Sequence, residues 1–182
     1  MAIEPGQTAE RQPAPGLRRI VLTGFMGSGK TTVGPLVAAR LGWRFVDADP
    51  AIEAEAGLSI AEIFRLSGEA EFRRRERETI ARLVGSEGLV LALGGGAIED
   101  AETRRLLLGQ PATRLIHLEV ALETALRRCG DDPARPVLAD RANLEARYQR
   151  RLPLYRLAHA SVRVDALTPE EAAEAVLKAA TR

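Results

Sequence analysis

Eight consecutive residues, Gly24-Phe25-Met26-Gly27-Ser28-Gly29-Lys30-Thr31, follow the pattern G-x-x-x-x-G-K-[ST]. The glycines let backbone N–H groups turn inward around phosphate oxygens, and the helix that opens behind them adds a partial positive charge. Lys30 has the reach for the β- and γ-phosphates of a nucleotide, and the Thr31 hydroxyl is a ligand for Mg²⁺. Gly27, Ser28, Gly29, Lys30, Thr31 and Thr32 are therefore the candidate phosphate-binding residues. The chain's only lysines are Lys30 and Lys178, so a chance match to this pattern is rare. The competing explanation is a Gly-rich turn that merely caps a helix.

Phosphate binding alone leaves a GTPase switch, an ATP-driven motor and a small-molecule kinase open. The guanine-reading Asn-Lys-x-Asp of common GTPases has no counterpart around either lysine. Motors usually end an apolar strand in an acidic, Mg²⁺-holding residue. Here the apolar stretch Leu89–Leu93 runs instead into Gly94-Gly95-Gly96, where a substrate can lie against bare backbone. Asp47 and Asp49 close a second strand candidate; two apart on an extended segment, they point the same way. One suits a metal, and the other suits a hydroxyl that must lose its proton. An acidic turn ahead of Pro50 is the alternative. The run Glu71-Phe72-Arg73-Arg74-Arg75-Glu76-Arg77 reads as a solvated helix face carrying the Glu69/Arg73 pair, with Phe72 free to line a pocket wall.

The elements that position these residues alternate in type. Strand candidates are Arg19–Thr23, Arg44–Val46, Leu89–Leu93, Thr113–Leu118 and Ser161–Val164. They are short apolar runs, as buried parallel strands should be. Between them lie amphipathic stretches at Thr31–Leu41, Ser59–Leu66, Glu69–Val84, Ala101–Leu108, Ala121–Arg128, Asn143–Arg151 and Pro169–Ala180. The last opens on Thr168-Pro169-Glu170-Glu171, a capping box with proline at the first helical position. This alternation predicts an α/β domain with a parallel sheet covered on both faces. Pro35, about five residues into the first helix, removes the N–H that the Thr31 carbonyl would receive; either the helix starts late or its first turns distort. His117 falls in an apolar strand and reads as a core histidine.

Composition narrows the function classes. The 182 residues carry 26 basic and 25 acidic side chains, a balance unlike that of a nucleic-acid or anionic-membrane binder. No apolar stretch nears the ~20 residues that span a bilayer, and Cys129 alone builds neither disulfide nor zinc cluster. The N-terminus lacks an apolar run of signal type, and Glu4 and Glu10 fit a transit peptide poorly, so a cytoplasmic protein is expected. Residues 1–16, rich in Pro and Gly, read as a flexible tail ahead of a single domain at 17–182.

Taken in order, GFMGSGKTTVG, the Asp47/Asp49 pair, GEAEFRRRE, LALGGGA, ARPVL and RLPLYR closely resemble shikimate kinase, over nearly everything from Arg18 to the C-terminus. The resemblance implies a three-layer P-loop kinase fold with a five-stranded parallel sheet and a mobile lid at about 129–140. It implies a monomer that uses MgATP to phosphorylate the 3-hydroxyl of shikimate on the route to chorismate and the aromatic amino acids. It further implies that Asp49 binds the ring hydroxyls and orients or deprotonates the nucleophile, and that Asp47, through water, holds Mg²⁺ beside Thr31. Arg73 and Arg151 would clamp the carboxylate, Gly94, Gly95 and Gly96 would contact the ring hydroxyls, Arg135 would bring a lid cation to the phosphates, and Arg128 and Pro169 would flank the adenine. For three of these a plainer explanation stands beside the implied one. Arg151 is one of several helix-face arginines, Arg128 is a C-terminal helix-dipole partner, and Pro169 is a first-turn proline. A gluconate- or nucleotide-type kinase is the nearest competitor, and a regulator that binds ATP without using it is the competitor from another class. Arginine anchors suit a small acidic substrate, and a mere binder needs neither base nor lid cation.

Overall fold

A computed structural model describes residues 15–130 and 141–181. Most of the expected tail and lid, Arg135 included, lies outside the described residues. Among them five strands alternate with seven helices: β1 (Arg19–Thr23), α1 (Lys30–Leu41), β2 (Arg44–Asp47), α2 (Ala48–Ala56), α3 (Ile60–Leu83), β3 (Leu89–Ala92), a 3₁₀ turn (Ala97–Glu99), α4 (Ala101–Gly109), β4 (Thr113–Glu119), α5 (Leu122–Cys129), α6 (Arg141–Tyr155), β5 (Ala160–Arg163) and α7 (Pro169–Ala180). The sheet order is β2-β3-β1-β4-β5, and every pairing is parallel.

Burial explains the strand sequences. β1 and β3 are buried at every residue, while the edge strands β2 and β5 expose theirs in part. The central strands therefore read as unbroken apolar runs rather than alternating ones. α1 packs on α7 in one layer and α3 on α4 in the other. α1 approaches β2 closely at Gly34, where an added Cβ would stand 2.2 Å from the Phe45 ring. Pro35 sits inside α1 without ending it; both it and Thr31 are on the exposed side, where water can satisfy the carbonyl left without a donor.

One expectation, at the end of the second strand, needs correction. Asp47 and Asp49 do not share an extended segment, because Asp47 ends β2 and caps α2, accepting the Asp49 N–H on Oδ1 at 3.2 Å. Asp49 and Pro50 belong to the first turn of that helix, whose early N–H groups are unpaired in any case, so the proline is no breaker there. The stretches Ser59–Leu66 and Glu69–Val84 are the two arms of α3, separated as expected at Gly68, whose backbone is non-helical (φ 79°, ψ 175°). Phe72 is not part of the wall of the cavity at the strand ends. It is buried with Ile52 of α2 and Ile63 of α3 in a small satellite core, its ring 4.7 Å from that of Phe64. This cluster locks α2, which carries Asp49, to α3, which carries Arg73.

Candidate active site

The ends of β1, β2 and β3 open into a cavity of about 780 Å³ at the carboxyl edge of the sheet, where open parallel sheets place their ligands. Residues 26–33, the end of the phosphate-loop motif and the start of α1, form one wall. Gly27 has φ 71°, and a Cβ there would lie 2.6 Å from the Ala125 carbonyl, so only glycine lets the loop pack on α5. Lys30 Nζ donates to the carbonyls of Gly24 (2.8 Å) and Phe25 (3.1 Å) and to Ser28 Oγ (3.3 Å), which parks the ammonium across the loop. Thr31 Oγ1 donates to Asp47 Oδ2 at 2.8 Å.

The tripeptide Gly94–Gly96, next along the cavity, is where the predicted substrate residues meet. A Cβ on Gly94 would stand 2.6 Å from Asp49 Oδ1 and 3.1 Å from Glu76 Oε1. One on Gly96 would stand 2.7 Å from Arg73 Nη2 and 3.1 Å from Arg151 Nη2. Two carboxylates thus converge on one end of the tripeptide and two guanidiniums on the other, and any side chain would fill the space between. Asp49, Asp47 and Arg151 line the same cavity as Lys30 and Thr31.

Electrostatics differ within this group. Burial, reinforced by Asp47, raises the pKa of Asp49 above the ordinary carboxylate value, with Lys30 and Arg73 pulling the other way. Burial also raises Glu76, although Arg73 Nη1 donates to its Oε2 at 2.6 Å. His117 is the core residue expected: burial lowers its pKa to about 4, and its ring stacks on Tyr155 at 5.1 Å.

At the far end of the cavity, Arg128 Nη2 donates to the carbonyls of Val164 (2.6 Å) and Asp165 (3.1 Å), and its Nη1 reaches Gly27 O at 3.4 Å. It shares that end with Leu167 and with Pro169, the first residue of α7. Three residues went unremarked in the sequence. Glu76 was hidden in the charge run, although its i,i+3 spacing from Arg73 marks a shared helix face. Tyr155 donates to Gly95 O at 2.6 Å, one turn beyond Arg151 on α6. Glu99 holds Arg151 from the 3₁₀ turn, receiving Nε at 2.8 Å.

Mg²⁺ takes one or two carboxylates plus phosphate oxygens rather than an all-protein cage. Thr31 and Asp47, oxygen donors beside the loop, fit that pattern, and among the described residues no cluster of three or more His, Cys, Asp or Glu forms a closed site. No helix of the described residues is long and apolar enough to cross a membrane.

The sequence model of one family, Shikimate kinase, matches residues 26–181. The chain belongs to the shikimate kinase family. Its relatives include shikimate kinases of Thermobifida fusca, 46% identical over 87% of this chain and 92% of the relative, and of Streptomyces coelicolor, 46% identical over 88% and 94%. A solved shikimate kinase from Acinetobacter baumannii, in complex with shikimate, superposes with a TM-score of 0.82 at 37% identity, covering 89% of this chain and 92% of that one. Shikimate kinases are ATP-dependent and phosphorylate a hydroxyl, and the five-stranded P-loop kinase fold expected from the sequence is the one observed.

Proposed function

We propose that this chain transfers the terminal phosphoryl group of ATP to the 3-hydroxyl of shikimate, and that the residues around Gly94–Gly96 hold the acceptor. The observation that carries the reading is the polarity of that tripeptide, with two guanidiniums at Gly96 and two carboxylates at Gly94 beside the loop that carries Lys30. A small ring bearing one carboxylate and several hydroxyls matches both ends at once. Arg73 and Arg151 take the carboxylate, because a planar guanidinium offers it two parallel N–H donors where lysine offers a point charge. Gly94, Gly95 and Gly96 let the ring lie against the backbone.

Asp49 binds the ring hydroxyls and aligns or deprotonates the one that attacks. Its raised pKa makes it a stronger proton acceptor than an ordinary aspartate while it is ionised. Gly27, Ser28, Gly29, Lys30, Thr31 and Thr32 would receive the phosphates, the Thr31 hydroxyl and, through water, Asp47 would hold Mg²⁺, and Arg128 and Pro169 would flank the adenine. Bound MgATP supplies the phosphoryl group and neutralises charge on it. The protein's part is positioning and fixed positive charge. Arg135, outside the described residues, is assigned a further cation over the phosphates. The reading carries with it a monomer working in the cytoplasm on the route to chorismate.

An ADP-release assay with shikimate, gluconate and nucleoside monophosphates tests it. Turnover with shikimate alone is expected. No turnover above the ATPase background with shikimate, together with turnover on another acceptor, overturns the assignment.

A further inference from the structure

Arg151 does not stand alone. Its Nε donates to Glu99 Oε2 at 2.8 Å, its Nη2 lies 2.7 Å from the same oxygen, and the neighbouring Arg150 donates its Nε to Glu99 Oε1 at 2.7 Å. Glu99 ends the 3₁₀ turn that directly follows Gly96, so the turn that sets the glycines also carries the carboxylate that grips Arg151. With the Nε–Nη2 edge held from behind, Nη1 faces Gly95, 3.6 Å from where its Cβ would be, and Nη2 faces Gly96. The Nη1–Nη2 edge, one of the two guanidinium edges that can pair with a carboxylate in two parallel bonds, is left toward the glycines, with the Tyr155 hydroxyl hydrogen-bonded to Arg151 beside it.

We propose that Glu99 and Arg150 form a positioning pair that presets the Arg151 guanidinium for the substrate's carboxylate; the proposal rests on the reading of Arg151 as that anchor. A long arginine otherwise surrenders rotamer freedom when it binds. Here the cost is met in the unliganded fold. Glu99 alone would also repel an anion, and Arg150 answers this: two guanidiniums and one carboxylate leave the node at a net charge of +1, the same as Arg151 by itself. Burial works against ionisation of Glu99, yet the hydrogen bonds from Arg150 and Arg151 outweigh it and hold its pKa below the ordinary value. The arrangement is one in which Glu99 orients and Arg150 screens.

Steady-state kinetics of the full chain test this with Glu99→Ala, Glu99→Gln, Arg150→Ala and the Glu99→Ala/Arg150→Ala double variant. Glu99→Ala should raise the KM for shikimate about tenfold, the order for immobilising one long side chain at binding, with kcat and the KM for ATP unchanged within about twofold. Glu99→Gln keeps an acceptor oxygen and should recover to within about threefold of wild type. Arg150→Ala should raise the shikimate KM about threefold at low ionic strength and less at high salt, because it uncovers the charge of Glu99. In the double variant the Arg150 effect should vanish. An unchanged or lowered shikimate KM in Glu99→Ala overturns the proposal, the latter marking Glu99 as a competitor for the anchor. A proportionate loss of kcat, ATP affinity and melting temperature overturns it too, by showing a merely structural role. Arg151→Ala separates the two readings. If it leaves the shikimate KM unchanged, the anchor assignment fails; if it raises the KM while Glu99→Ala does not, only the positioning pair fails.

Discussion

Two buried arginines stand at opposite ends of the sheet, Arg19 at 7% exposure and Arg151 at 8%. Arg19, the first residue of β1, donates Nε to Ser86 O at 2.7 Å and Nη1 to Pro111 O at 3.1 Å, so it staples the loops that lead into β3 and β4. Its partners are neutral carbonyls that have nothing to exchange. Arg151, at the other end, pairs with Glu99 and is also hydrogen-bonded to Tyr155, and Arg73 pairs with Glu76 through Nη1 and with Glu69 through Nη2. At the amino edge of the strands a guanidinium completes the fold's own hydrogen bonding. At the carboxyl edge two guanidiniums paired with carboxylates stand beside Gly96, and that of Arg151 lines the cavity. The contrast teaches that depth of burial does not tell these two arginines apart; the identity of their partners does.

Asp49→Asn should be the largest perturbation at the carboxyl edge, lowering kcat by about 10²–10⁴-fold. Steady-state ADP release should show this with the KM for ATP and the melting temperature little changed. Arg73→Ala and Arg151→Ala should come next, each weakening shikimate binding by about 2–5 kcal/mol, much of it from the partner carboxylate left alone. Titration calorimetry or the shikimate KM reads that out. Arg19→Ala should do the reverse, costing about 1–3 kcal/mol of stability in a denaturant melt through carbonyls left unsatisfied, with the shikimate KM unmoved. The comparison breaks if Arg19→Ala shifts the KM, or if Arg151→Ala shifts only the melting temperature.

The smallest effect is a pH slope. Asp49 and Glu76 have raised pKa values, so the folded chain holds their protons more tightly than the unfolded one. Their contribution to stability therefore declines as pH rises from the ordinary values of 3.8 and 4.5 through the folded ones. Glu99, Asp100 and Glu119 are lowered and act oppositely, losing their contribution as pH falls. A wild-type minus Asp49→Asn difference curve isolates the first slope and should fall with rising pH across that window. A flat difference would mean that Asp49 is not held in the dry, acid-crowded setting described.

Much of this was legible along the chain. The phosphate loop declares itself within eight residues. The bounds of α7 follow from its capping box, where Thr168 Oγ1 accepts the Glu171 N–H and Glu171 Oε2 accepts the Thr168 N–H. Gly68 separates two amphipathic stretches at the kink in α3. α2 was not legible, because Asp-Pro reads as a turn unless one knows that the aspartate lies in a first helical turn. Glu76 was masked by its neighbours: in a run of like residues, only the packing of Phe72 against Ile52 and Ile63 tells which charges turn inward. Glu99 and Arg151 are 52 positions apart and meet only when the 3₁₀ turn comes to rest against α6. Local pattern finds what neighbours dictate, and contacts between distant segments need the fold.

The strand order has a consequence for synthesis. β1 is encoded at residues 19–23, yet its two partners are β3 at 89–92 and β4 at 113–119. A parallel strand cannot settle until the segments on either side of it exist, and such distant pairings are slow to form. The loop behind β1 rests on α5 as well, through the contact between Gly27 and Ala125. On the ribosome, the earliest landmark of the message is thus among the last to mature. Nascent chains released before about residue 125 should be unable to shelter behind bound nucleotide, and they would depend on chaperones while their apolar strands wait.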